Sequence, residues 1–155
     1  MVRWRSALCL IGTLLPAALG SETATAATDL TSPPTIDCTA GFEGLRAYVQ
    51  SLAGAEWRIE GGYDIASISE PEKWRADFAF TSSSHPAHPA VTLRTFRKQV
   101  TEVWTADSKG CGYGNQAQFV ILMNDMKSGD TELTNASRHD VEQRRGEQSP
   151  LGLTP

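Results

Sequence analysis

The chain has 155 residues, 40% of them hydrophobic, and its 14 Lys and Arg against 18 Asp and Glu give a formal charge of -4 at neutral pH. That balance argues against a nucleic-acid partner, because affinity for a phosphate backbone rests on clustered Lys and Arg. The basic groups Arg94, Arg97, Lys98 and Arg138, Arg144, Arg145 are interspersed with Glu102, Asp140 and Glu142. The length suits one core, since a chain of this size buries roughly two thirds of its unfolded surface.

Arg3 and Arg5 precede an apolar run from Ala7 to Leu15, followed by Ala18-Leu19-Gly20. Basic start, short apolar run and small residues together read as a secretory signal peptide over residues 1–20, cut before Ser21 or, as an alternative, near Ala24-Thr25-Ala26. The apolar stretch ends well short of the roughly 20 residues that span a bilayer, so no membrane span is expected after cleavage. Export to a periplasm or the extracellular space follows, where disulfides persist. Cys9 leaves with the signal, and Cys38 and Cys111 remain as one expected disulfide. Residues 21–37, rich in Ala, Thr, Ser and Pro, read as a flexible leader. A single globular domain is expected over 38–145 and a disordered tail over 146–155.

One helix stands out near the start of the domain. Phe42, Leu45, Val49 and Leu52 fall on one helical face, Thr39 is placed to cap the N-terminus, Glu43 favours the positive end of the helix dipole, and Gly54 is placed to stop it. Strand patterns follow. Trp57, Ile59, Tyr63 and Ile65 keep one parity through Gly61-Gly62, and Trp74, Ala76, Phe78 and Phe80 keep another, with Ser69-Glu70-Pro71-Glu72 as the turn between them. Val91 and Leu93 differ in parity from Phe96, Val100 and Trp104, which predicts a bulge near Thr95. Asp107 to Asn115 reads as a glycine-rich loop. The apolar run Gln118 to Met123 reads as a central strand buried on both faces, Asn124 to Asp130 as a turn, and Leu133 to Val141 as a final strand or short helix. The expected fold is α+β: one N-terminal helix on a curved antiparallel sheet of four to five strands, held by one disulfide. A β-sandwich or barrel with a terminal helix is the alternative.

No catalytic or cofactor motif emerges. His85 and His88 share the loop His85-Pro86-Ala87-His88-Pro89, but the prolines favour extended geometry there, and a closed zinc site needs about four ligands. A periplasmic metal carrier using His85 and His88 is therefore a subordinate reading. Gly110-Cys111-Gly112-Tyr113-Gly114 lacks the lysine and the following helix that a phosphate loop requires. Tyr113, set among glycines, is the leading candidate contact residue, with His85 and His88 beside it. The sequence thus points to an exported binding module that recognises an unknown protein or small-molecule ligand through loops at one end of the sheet, Ser82 to Pro89 and Lys109 to Asn115. Its rival is a small enzyme with an apolar pocket under Phe42, Leu45 and Val49 and a carboxylate base such as Asp77 or Glu102.

Overall fold

The computed structural model describes residues 31–147. The signal peptide expected over 1–20, residues 21–30 of the leader and residues 148–155 of the tail lie outside the described residues. A 3-10 turn over Cys38–Ala40 leads into α1 (Gly41–Ser51), and then come β1 (Glu56–Glu60), β2 (Tyr63–Glu70), β3 (Trp74–Thr81), β4 (Ala90–Lys98), β5 (Trp104–Gly112) and α2 (Gln116–Glu147). The strands form one sheet in sequence order, each antiparallel to its neighbour. The α+β class with a Cys38–Cys111 disulfide is thereby met, although the principal helix is C-terminal.

Strand periodicity sorts the sheet into two faces. Ala66, Ile68, Trp74, Ala76, Phe78, Phe80, Val91, Leu93 and Cys111 point to one side and meet Leu45, Val49 and Leu52 from α1. Phe78, Phe80, Leu45 and Val49 are fully buried there, each worth about 1.5–3 kcal/mol in area removed from water. This is the helix-on-sheet core that the sequence predicts. The helix itself begins later than expected: Asp37, not Thr39, caps the chain, its carboxylate accepting from Thr39 N–H at 2.9 Å, and the turn it caps is the 3-10 turn ahead of α1. Pro33 and Pro34 are buried, and Ile36 packs against the same core.

The second face carries α2, and here the structure departs most from the sequence reading. Gln118 to Met123 is not a central strand; it is the first part of a 32-residue helix that continues through the expected turn at Asn124–Asp130 and the expected last element at Leu133–Val141. Asn115 starts it, its side chain accepting from Gln118 N–H at 3.2 Å. Burial on this helix recurs at Leu122, Asp130 and Val141, a helical and not an alternating period.

The glycine-rich loop expected over Asp107–Asn115 is largely β5. On the side facing α2, β5 presents Ala106, Ser108, Gly110 and Gly112, and a Cβ built at Gly112 would stand 2.5 Å from Phe119 Cγ and 3.0 Å from its Cβ. The glycines serve the close approach of a helix, and no loop is needed to explain them. From Phe119 to Ser137, α2 rises about 27 Å at 1.5 Å per residue, which matches the length of β5. Helix and strand therefore stay together end to end.

Three kinds of bond lock this contact. Trp104 N–H donates to Ser137 Oγ at 2.9 Å and Ala106 N–H to Thr134 Oγ1 at 3.0 Å. Buried Asp130 accepts from Arg94 Nε at 2.7 Å and from Ser108 Oγ at 2.8 Å. Arg94 also donates to the Met126 carbonyl at 3.0 Å, and Gly129 leaves room for its guanidinium.

Two smaller corrections concern turns and parity. Gly61 and Gly62, at φ of 57° and 83°, make a two-residue turn of the kind that closes hairpins, so Trp57 and Ile59 lie on the α1 face while Tyr63 and Ile65 lie on the other. β4 pairs with β5 without a break from Ala90 to Lys98, and no bulge occurs at Thr95. Phe96 differs in parity from Val91 and Leu93 because it belongs to the second face.

Gly112→Ala should cost about 1–3 kcal/mol, since Phe119 is too near to yield through its ring alone. Asp130→Ala should cost about 3–5 kcal/mol by leaving Arg94 without its carboxylate, whereas the pair Arg94→Met with Asp130→Leu should cost less than Asp130→Ala alone. Urea midpoints of the three variants measure both expectations.

Candidate functional site

Because α2 follows β5, it covers only one side of the second face. Over β1, β2 and β3 the sheet stays open, and a groove of about 480 Å³ runs there beside the helix. Its apolar surface comes from Ile65, Ala79 and Phe96 on three strands and from Met126 and Leu133 on α2. Thr92 also lines it, and the Thr92 hydroxyl is buried with no hydrogen-bond partner among the described residues. Tyr63 and Glu60 stand at the end of the groove near the β1–β2 turn.

Two guanidinium groups, Arg58 and Arg75, separate this groove from a polar hollow of about 500 Å³ ringed by Glu56, Ser67 and Ser69. Arg58 reaches Glu60 Oε2 at 3.2 Å and donates to Ser67 Oγ, which in turn donates to Asp77 Oδ1 at 2.7 Å. Arg75 holds Asp77 through both Nε and Nη2, and its guanidinium lies 4.9 Å over the Phe96 ring. Strand alternation puts all of these side chains on one face. Each guanidinium has five N–H donors, so both keep hydrogen-bonding capacity beyond these partners. The site therefore joins an apolar surface to a polar, hydrogen-bonding edge in which each guanidinium is paired with a carboxylate.

The residues singled out from sequence lie elsewhere, at the end of the sheet where the loops gather. Ser82 N–H bonds the Gly62 carbonyl at 2.9 Å and Tyr113 N–H bonds the Pro89 carbonyl at 2.9 Å, so the Ser82–Pro89 segment, the β1–β2 turn and the start of α2 are tied together. His85 uses both ring nitrogens: Nδ1 accepts from Ala87 N–H at 3.1 Å, which leaves Nε2 to donate to Tyr63 Oη at 2.7 Å. His88 Nδ1 lies 2.9 Å from the Thr81 carbonyl, and its ring packs edge-on against Phe42. The two imidazoles thus attach the loop to different strand ends and do not converge. Tyr113 donates its hydroxyl to the Cys38 carbonyl at 3.0 Å, beside the disulfide whose Cα atoms are 5.4 Å apart. Its role in the fold is to pin the turn ahead of α1.

The acids proposed as a general base are engaged as well. Asp77 is saturated by Arg75 and Ser67, and Glu102 sits on the exposed β4–β5 turn against Lys98, which holds its carboxyl below the ordinary range. Beneath Phe42, Leu45 and Val49 there is a filled core. No family model, no curated protein and no solved structure matches this chain.

Burial, with a smaller contribution from Asp37, raises the Tyr113 phenol above its usual value near 10, and burial followed by Asp125 does the same for Tyr63. A folded-state value above the unfolded one means that stability is intact below about pH 10 and is lost as pH rises through the folded-state value. The urea midpoint should therefore fall on alkaline titration. Tyr113→Phe and Tyr63→Phe should each flatten that fall.

Proposed function

We propose that the protein is an exported, non-catalytic binding module whose ligand is a small amphiphilic molecule with a hydrogen-bond-accepting head group. Its apolar body lies on Ile65, Ala79 and Phe96 beside α2, and its head meets Arg58 and Arg75. The observation that carries this reading is the continuity of an apolar groove with a guanidinium-lined polar hollow on the uncovered half of the sheet. The groove falls within the 300–1,000 Å³ typical of small-ligand sites, where apolar walls and a few placed polar groups divide affinity from orientation.

Export is supported by the Cys38–Cys111 disulfide, a bond that persists in oxidising compartments. The binding role is supported by the ladder of hydrogen bonds that joins Glu60, Arg58, Ser67, Asp77 and Arg75 beside the groove and fixes the two guanidinium groups with N–H donors to spare. The loops at the sheet end serve as scaffold in this reading, and recognition moves from them to the strand faces.

Anilinonaphthalene sulfonate, with an aromatic body and an anionic head, is a suitable probe. It should bind saturably with enhanced fluorescence and raise the melting temperature. Ala79→Trp, which fills the groove, should weaken binding at least tenfold, and Arg75→Gln should weaken it while leaving the fold intact by circular dichroism. Binding that does not saturate, or that is indifferent to both substitutions, would remove the groove as the site.

A further inference from the structure

The two edges of the sheet are treated unequally. At β5, the outward N–H groups of Trp104 and Ala106 are taken by Ser137 and Thr134 of α2. At β1 no such cover exists among the described residues, and all five residues of the strand are exposed. The two-residue turn at Gly61–Gly62 makes Glu60 and Tyr63 a hydrogen-bonded pair, so Arg58 and Glu56 also bond inward to β2 and the main-chain groups of Trp57 and Ile59 point outward. Exposed edges are ordinarily guarded by shortness, charged side chains, Pro or a bulge. Glu56-Trp57-Arg58-Ile59-Glu60 is short and charged but has neither Pro nor bulge, its charges are of both signs, and Trp57 and Ile59 are 38% and 85% exposed on one face of the edge.

We propose that β1 pairs with β1 of a second copy of this chain, antiparallel about a two-fold axis through Trp57, so that two five-stranded sheets become one. Charge admits a second copy as the partner, and charge together with the position of the turn sets the register. The two faces of the joined sheet match only if odd positions pair with odd and even with even, which leaves three registers centred on residues 57, 58 and 59. Centring on Arg58 sets Arg58 opposite Arg58 and Glu56 opposite Glu60, a like-charge arrangement that is destabilising. Centring on Ile59 sets Arg58 opposite Glu60 with the same charge match but runs into the Gly61–Gly62 turn. Centring on Trp57 sets Glu56 opposite Arg58 in both directions, as a close non-hydrogen-bonded pair, and continues the pairing onto Ala55 ahead of the strand. The two Trp57 residues then exchange N–H to carbonyl bonds, and each Ile59 N–H meets the Ala55 carbonyl of the other copy. Ala55 N–H is already bonded to the Leu52 carbonyl within its own chain.

A short edge buries little surface, which places this dimer among weak, concentration-dependent associations. It shares Arg58 and Glu56 with the edge of the groove, whereas Ile59 lies on the opposite face of the sheet, so Ile59→Pro tests the dimer without touching the groove lining.

Light scattering over a concentration series on the mature chain should show the average mass rising toward twice that of one copy. Ile59→Pro removes an outward N–H at an exposed position and should return the protein to monomer with an unchanged circular dichroism spectrum. Arg58→Glu sets carboxylates opposite one another and should weaken association at least tenfold, and Glu56→Arg combined with Arg58→Glu should restore it. Directly opposed residues of a hydrogen-bonded pair have Cα atoms about 5.5 Å apart, within disulfide range, so Trp57→Cys should oxidise to a covalent dimer and Ile59→Cys should not. A chain that stays monomeric at NMR concentrations, a dimer that survives Ile59→Pro, or cross-linking at position 59 instead of 57 would each overturn the proposal.

Discussion

The fold turns on how closely α2 approaches β5. Gly110 and Gly112 strip the strand of side chains where Phe119 and Met123 come down, and Ser108 meets Asp130 further along. A helix laid that close to an edge strand can give its hydroxyls to the strand's free N–H groups, as Thr134 and Ser137 do. It cannot at the same time reach the middle of the sheet. The open half over β1, β2 and β3 is therefore a direct result of small residues on β5, and the groove exists because of that displacement.

Burying an ion pair at this contact has its own logic. Arg94 and Asp130 gain little over an apolar pair of similar volume once desolvation is counted. What they add is position, since the guanidinium bonds both the Asp130 carboxylate and the Met126 carbonyl and so ties the middle of β4 to one particular turn of the helix. Along a helix whose apolar stripe is thin, with Leu122 and Val141 the only buried apolar side chains among its described residues, such polar markers define the register that packing alone leaves loose.

Much of the first face was legible in the sequence. Trp74, Ala76, Phe78 and Phe80 alternate cleanly and are all buried, and the stripe Leu45, Val49, Leu52 lies against them. The second face was harder because its pattern is carried by small and polar residues. A strand reading Ala106, Ser108, Gly110, Gly112 has no apolar parity to detect, and the same glycines are the residues that ordinarily mark a loop. Gln118 to Met123 is apolar on nearly every residue, so period alone does not separate helix from strand there. The deciding signals were farther apart: Asn115 as a cap, then Phe119, Leu122, Met126, Leu133 and Val141 at helical intervals with no proline between them. The groove residues were visible as outward positions, Arg75 and Asp77 between buried neighbours. Nothing local to them indicates that α2 leaves their side of the sheet bare.

The covalent ring closed by Cys38 and Cys111 encloses α1 and nearly all of the sheet, spanning 73 residues of sequence, and it leaves α2 outside. Loop closure on that scale contributes on the order of 4 kcal/mol by restricting the unfolded chain, and the benefit falls wholly on the enclosed part. The molecule is thus divided into a tethered body and an appended arm, with separate free energies of release. Fraying of the arm would bare the β5 edge without straining a sulfur bond and would leave a sheet whose two margins are alike.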